Sequence, residues 1–153
     1  MLEPIVKTTI LPVDQAQAFE LFTNRISEWW PLATHSLLSA DGKTPTQVQF
    51  EPFEGGRLYE ISDQGETMDW GQVTAWDAPN RLSFTWQVGS TPEQATQVEV
   101  SFERADQGGT RVTLVHSNWH VLGARAAELH ANYTPGWDAV FHAGFAEFAA
   151  AQE

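Results

Sequence analysis

The chain has 153 residues, 20 acidic against 8 basic, and a formal net charge of −12 at pH 7. That length buries a core without covalent staples, and that charge repels nucleic acid and anionic lipid, so nucleic acid is excluded as a partner. With no cysteine present, disulfides and thiolate metal sites are excluded as well.

Residues 3–11 alternate and carry β-branched Ile5, Val6, Thr8, Thr9 and Ile10, which predicts an opening strand stopped by Pro12. Asp14 is placed to cap a short helix that turns Ala18, Phe19, Leu21 and Phe22 to the core. Pro31 ends the next helical turn just after Trp29 and Trp30, which are presented together. Residues 32–46 have no clear period; Leu32, Leu37 and Leu38 need cover, so an ordered loop or lid is expected there. Strands are predicted over 47–51, 57–62, 67–76, 81–88, 94–104 and 110–117, separated by turns rich in Gly, Asp, Asn and Pro. The last three have dry faces made of Leu82, Phe84 and Trp86, of Val98, Val100 and Phe102, and of Val112, Leu114 and His116. The strand over 67–76 alternates poorly, and Gly71 marks a bulge or a close approach of another backbone. A helical stretch over 121–133 (Leu122, Ala126, Leu129) leads to a helix over 134–150, with Thr134 as its cap and Pro135 in its first turn. Trp137, Val140, Phe141, Gly144, Phe145 and Phe148 share one face of that helix. Burying its large apolar residues is worth about 8–15 kcal/mol gross.

This order of elements is the α+β helix-grip arrangement: a curved antiparallel sheet of about seven strands wrapped around a long C-terminal helix, with two short helices after the first strand. About seven strands at roughly 4.8 Å spacing span some 34 Å, while a helix is only about 10–12 Å across. The sheet must therefore curl around the helix. The space left between them is filled by large side chains or by something bound.

Several segments are familiar. Ala18-Phe19-Glu20-Leu21-Phe22-Thr23, Glu28-Trp29-Trp30-Pro31, Gly55-Gly56-Arg57-Leu58-Tyr59-Glu60 and the run from Asp69-Trp70-Gly71 to Asp77-Ala78-Pro79 are four of them. Arg81-Leu82-Ser83-Phe84-Thr85-Trp86, the run from Gly109 to His116, and Gly136-Trp137 complete the set. Together they resemble START-like (SRPBCC) proteins of the single-domain Hsp90-ATPase-activator-homologue type, over nearly the whole chain. The resemblance implies a seven-stranded sheet gripping a C-terminal helix around a hydrophobic pocket. It also implies an Hsp90-type chaperone as a candidate partner.

Seven tryptophans are the compositional anomaly. Trp29, Trp30, Trp86, Trp137 and Phe141 are candidate walls for a flat apolar ligand or simply core filling. Tyr59, Glu60 and Asp69 are the polar groups best placed to share a site with Trp70, although Tyr59 and Glu60 cannot both face inward. Arg57 or Arg81 pairing with one of these carboxylates is the plainer account. His116, at the end of an inward face, is either an acid/base or ligand anchor, or a core histidine bonded to backbone or to a tryptophan N–H. His116 and His120 straddle a strand end without a third ligand, so no metal site is expected, and no motif asks for a cofactor. The candidate ligand-binding set is thus Trp29, Trp30, Tyr59, Trp70, Trp86, His116, Trp137 and Phe141.

The first residues lack the start of a secretory signal and no apolar run reaches spanning length, so a cytoplasmic single domain over 1–153 is expected, monomeric or homodimeric. Three functions remain open. The first is binding of a small hydrophobic, aromatic or lipid-like molecule. The second is a cyclase/aromatase-like enzyme using His116. The third is a co-chaperone or other interaction module exposing Trp29 and Trp30 or the 32–46 segment.

Overall fold

The computed structural model describes residues 2–32, 34–36, 38, 42–87, 92–106 and 108–152. Leu37 of the expected lid and Val88 at the end of an expected strand lie outside the described residues. The elements run β1 (Ile5–Leu11), α1 (Gln15–Thr23), α2 (Ile26–Trp29), β2 (Pro45–Phe50), β3 (Arg57–Ser62), β4 (Thr67–Asp77), β5 (Arg81–Trp86), β6 (Thr96–Arg104) and β7 (Thr110–Ser117). The C-terminal helix follows. The strands form one antiparallel sheet in the order β1-β7-β6-β5-β4-β3-β2. Asp14 caps α1 as its position demands, its carboxylate accepting from the N–H of Gln17.

The inward faces of β5, β6 and β7 are those the alternation predicts, and each of their nine residues is buried. The curl comes from β4. Its pairing slips once at Trp70, opposite the step from Leu58 to Tyr59, and again at Thr74, opposite the step from Phe84 to Ser83. Each extra residue bends the strand and increases its twist. Gly71 shows both properties expected of it: it adjoins the first bulge, and a side chain there would overlap the carbonyl oxygen of Thr85 on β5.

The two outer strands are treated differently. On β2, Ser27 from α2 closes the free side, its hydroxyl donating to the carbonyl of Val48 at 2.8 Å and accepting from the N–H of Val48 at 2.9 Å. Replacing Ser27 with alanine strips both groups and is expected to cost about 1–2 kcal/mol. A urea titration should show a lower midpoint at unchanged slope; an unchanged midpoint would mean that water serves this edge equally well.

The C-terminal helix corrects the expected boundary. A turn over Trp119–Arg125, kinked at Gly123, leads into α3 (Ala126–Trp137), which continues through a π-helical stretch (Asp138–Ala146) into α4 (Glu147–Ala150). Thr134 and Pro135 do not start a helix. They lie inside α3, where the Thr134 hydroxyl donates back to the carbonyl of His130 at 2.9 Å. The physical reason is tertiary. His130 is tied to the carbonyl of Glu3 and Tyr133 to Trp86, which holds 126–133 in line with the apolar run that follows. The helix crosses the concave face, and Lys7 of β1 reaches Asp138 at 2.9 Å. Among the described residues no helix is long and apolar enough to cross a membrane.

Candidate ligand site

The alternation of β3 puts Leu58, Glu60 and Ser62 inside and Arg57, Tyr59 and Ile61 outside. The β4 bulge turns Trp70 inward beside Glu60, and the indole N–H donates to its carboxylate at 2.8 Å. Glu60 is fully buried and also accepts from the N–H of Leu38 at 3.1 Å, which fastens part of the 32–46 segment to the sheet. Tyr59, expected in the site, instead lies on the outer face. Its hydroxyl donates to Gln49 and its ring lies 4.1 Å beneath the Arg57 guanidinium. Arg57 pairs with Asp69 at 2.6 Å, the plainer of the two accounts, and the pair raises the Arg57 pKa.

The buried rings divide into two groups. Trp29 packs against Phe22 and Phe145, its N–H bonded to the carbonyl of Leu21, and Phe141 packs on Phe145. These rings form ordinary core between α1, α2 and the C-terminal helix. Trp30, Trp70, Trp86 and Trp137 form the other group, with centroids 4.9–6.2 Å apart at each contact. Trp29 and Trp30 are only 6% and 8% exposed, so the expectation that they form an exposed docking patch is overturned. They are the hinge between the two ring groups, held 5.8 Å apart.

His116 is fully buried beside the second group. An indole N–H only donates, so the 3.0 Å contact from Trp137 Nε1 makes His116 Nδ1 an acceptor. The ring proton therefore sits on Nε2 and donates to the Thr96 hydroxyl at 2.7 Å, which donates to the carbonyl of Trp86 at 3.2 Å. Burial, with a smaller contribution from His130, pushes the His116 pKa down to about 3. This is a neutral histidine with both nitrogens engaged, and it locks Trp137 and Trp86 in place.

Tyr133 was not singled out by the sequence. It lies on α3, its ring against His116, Trp86 and Trp119, and its oxygen accepts from Trp86 Nε1 at 2.9 Å. Burial raises its pKa, so it stays a phenol. Among the described residues no acceptor takes its proton. The polar stretch around it, Ala126 to Tyr133, carries too weak a period to have revealed this from sequence.

Elsewhere, an open groove of about 490 Å³ lies between the α1–α2 region and β2, lined by Thr23, Asn24, Ser27, Gln47, Val48, Gln49 and Phe50, without a charged side chain. Among the described residues no group of three or more potential ligands could hold a metal.

The family of activator of Hsp90 ATPase homolog 1-like proteins matches residues 12–150. The chain belongs to this family. Among solved structures, it is 36% identical to an anthrahydroquino-gamma-pyrone synthase, Txn09, in a ligand complex, with a TM-score of 0.58 and 84% of this chain and 85% of that one covered. The activator-homologue-like protein of Aeromonas hydrophila is 20% identical, with a TM-score of 0.64 and coverage of 98% and 94%. The Aha1 dimer of Colwellia psychrerythraea is 16% identical, with a TM-score of 0.60 and coverage of 91% and 96%. These last two show the shared fold. No curated protein matches. The START-like, helix-grip architecture expected from the sequence is therefore the architecture of this activator-homologue-like chain.

Proposed function

We propose that this chain binds a planar, carbonyl-bearing aromatic small molecule between the sheet and the C-terminal helix, at the end where Trp30, Trp70, Trp86 and Trp137 meet. The observation that carries this is Tyr133: a partly buried phenol beside the Trp86 and Trp119 rings, its oxygen occupied by Trp86 and its proton uncommitted among the described residues. Such a group donates to a ligand carbonyl while the flat rings stack on the ligand faces. The 36% identity to a synthase named for a fused aromatic pyrone supports the same ligand class. The indoles touch one another, so binding requires them to part, and their emission must change. Titration with planar hydroxyquinones should quench tryptophan fluorescence, and Tyr133→Phe should weaken binding about 5–10-fold. A panel giving no quenching, and no heat by calorimetry, would sink the reading.

The same relative favours a second reading, a ring-forming enzyme. In it the acid/base work falls to Glu60 and not to His116, whose nitrogens are both engaged. Glu60→Gln would then abolish turnover and spare ligand binding. The dimeric Colwellia psychrerythraea relative supports a homodimer among the assembly states open to this chain.

A further inference from the structure

The free side of β1 stands in contrast to that of β2, where Ser27 bonds both backbone groups of Val48. The backbone of Ile5–Leu11 pairs with β7 in an unbroken register, and among the described residues no side chain bonds to its other side. Two of the usual protections of an edge strand are missing: there is no bulge, and Pro4 and Pro12 lie outside the strand. Its one charged residue, Lys7, points inward and is neutralised by Asp138, so it puts no charge on the outer face. On the outer face Val6 and Ile10 are 57% and 58% exposed, with exposed Thr8 between them. Neither β1 nor β7 contains an acidic residue, in a chain of net charge −12.

We infer that β1 is a self-association edge: two copies pair β1 to β1, antiparallel, about a two-fold axis at Thr8, giving one continuous sheet. This register is self-complementary. Val6 of one copy faces Ile10 of the other on the same face, and the reciprocal contact forms across the axis. The prolines at 4 and 12 fall opposite each other and delimit the paired segment at both ends. Elsewhere the acidic surfaces of two copies repel; here they meet along the acid-free strip, so added salt tightens the pairing.

The absence of native cysteine makes the test direct. Neighbouring Cα atoms across antiparallel strands lie about 4.5–5.5 Å apart, within disulfide reach. Thr8→Cys should therefore form a disulfide-linked dimer under mild oxidation. Thr113→Cys, one strand further in and about 14 Å from its mate, should not. Light scattering at tens of micromolar protein should give twice the monomer mass for the native chain. It should give the monomer mass for Val6→Lys/Ile10→Lys, which alters only exposed positions and should keep the native circular dichroism spectrum. A monomeric native chain, a dimer that survives the double lysine change, or equal cross-linking at both cysteine positions overturns the inference.

Discussion

Gly71→Ala is expected to destabilise the protein by about 3 kcal/mol or more, a large share of the stability of a domain this size. A methyl group there meets the carbonyl of Thr85, a backbone atom on the neighbouring strand that no rotamer change can move. Relief requires β4 and β5 to separate where the N–H of Gln72 bonds to the Thr85 hydroxyl and the N–H of Gln87 to the carbonyl of Trp70. The bulge would go with it, and Trp70 would lose its place beside Glu60. Thermal unfolding by circular dichroism measures this directly. Gly65→Ala is a useful comparison, because that turn glycine has nothing near its missing side chain and suffers only from its positive φ of 82°. If the two variants melt together, backbone overlap at position 71 is not the cause.

His116→Leu is expected to cost about 2–4 kcal/mol, since it orphans the buried Trp137 N–H and leaves the Thr96 hydroxyl only its bond to the Trp86 carbonyl. His116→Gln, which can both accept and donate, should recover part of that loss. The native network also has a signature in pH. The folded-state pKa of about 3 lies below the ordinary 6.5, so below pH 6.5 the unfolded chain binds a proton that the folded chain refuses. The stabilisation is complete above pH 6.5 and is lost as pH falls towards 3, by at most about 1.4 kcal/mol per pH unit. His116→Gln lacks this slope. Its deficit relative to the native chain should therefore narrow between pH 6.5 and 3, the other four histidines being common to both. A deficit constant with pH would show that His116 titrates alike in both states.

The sheet was legible because its signals are local. Strands β3 and β7 begin and end where the alternation and turns place them, and β5 to β7 turn the predicted faces inward. Gly71 was legible because glycine inside a strand has few reasons to be there. The choice between Tyr59 and Glu60 was not. Composition favours Tyr59 and Ile61 as the dry face of β3, yet Leu58, Glu60 and Ser62 face in, with Glu60 held there by the Trp70 indole and the N–H of Leu38, which are distant in sequence. Tyr133 was hidden for a similar reason: its value depends on Trp86, 47 positions earlier in the chain. The start of the C-terminal helix was misplaced because Thr134-Pro135 is a strong local opening, overridden here by bonds to Glu3 and Trp86.

The π-helical stretch over Asp138–Ala146 gives the C-terminal helix a crank. A wide turn holds one residue more than an α turn, and where it sits along the helix is set by packing rather than by covalent chemistry. Moving it by one position rotates the residues it passes by roughly 100° about the axis. Trp137 stands at its N-terminal boundary, while Phe145 is anchored between Phe22 and Trp29. One step of the crank would therefore have to break the bond of Trp137 to His116, while Phe145 at the far end keeps its place.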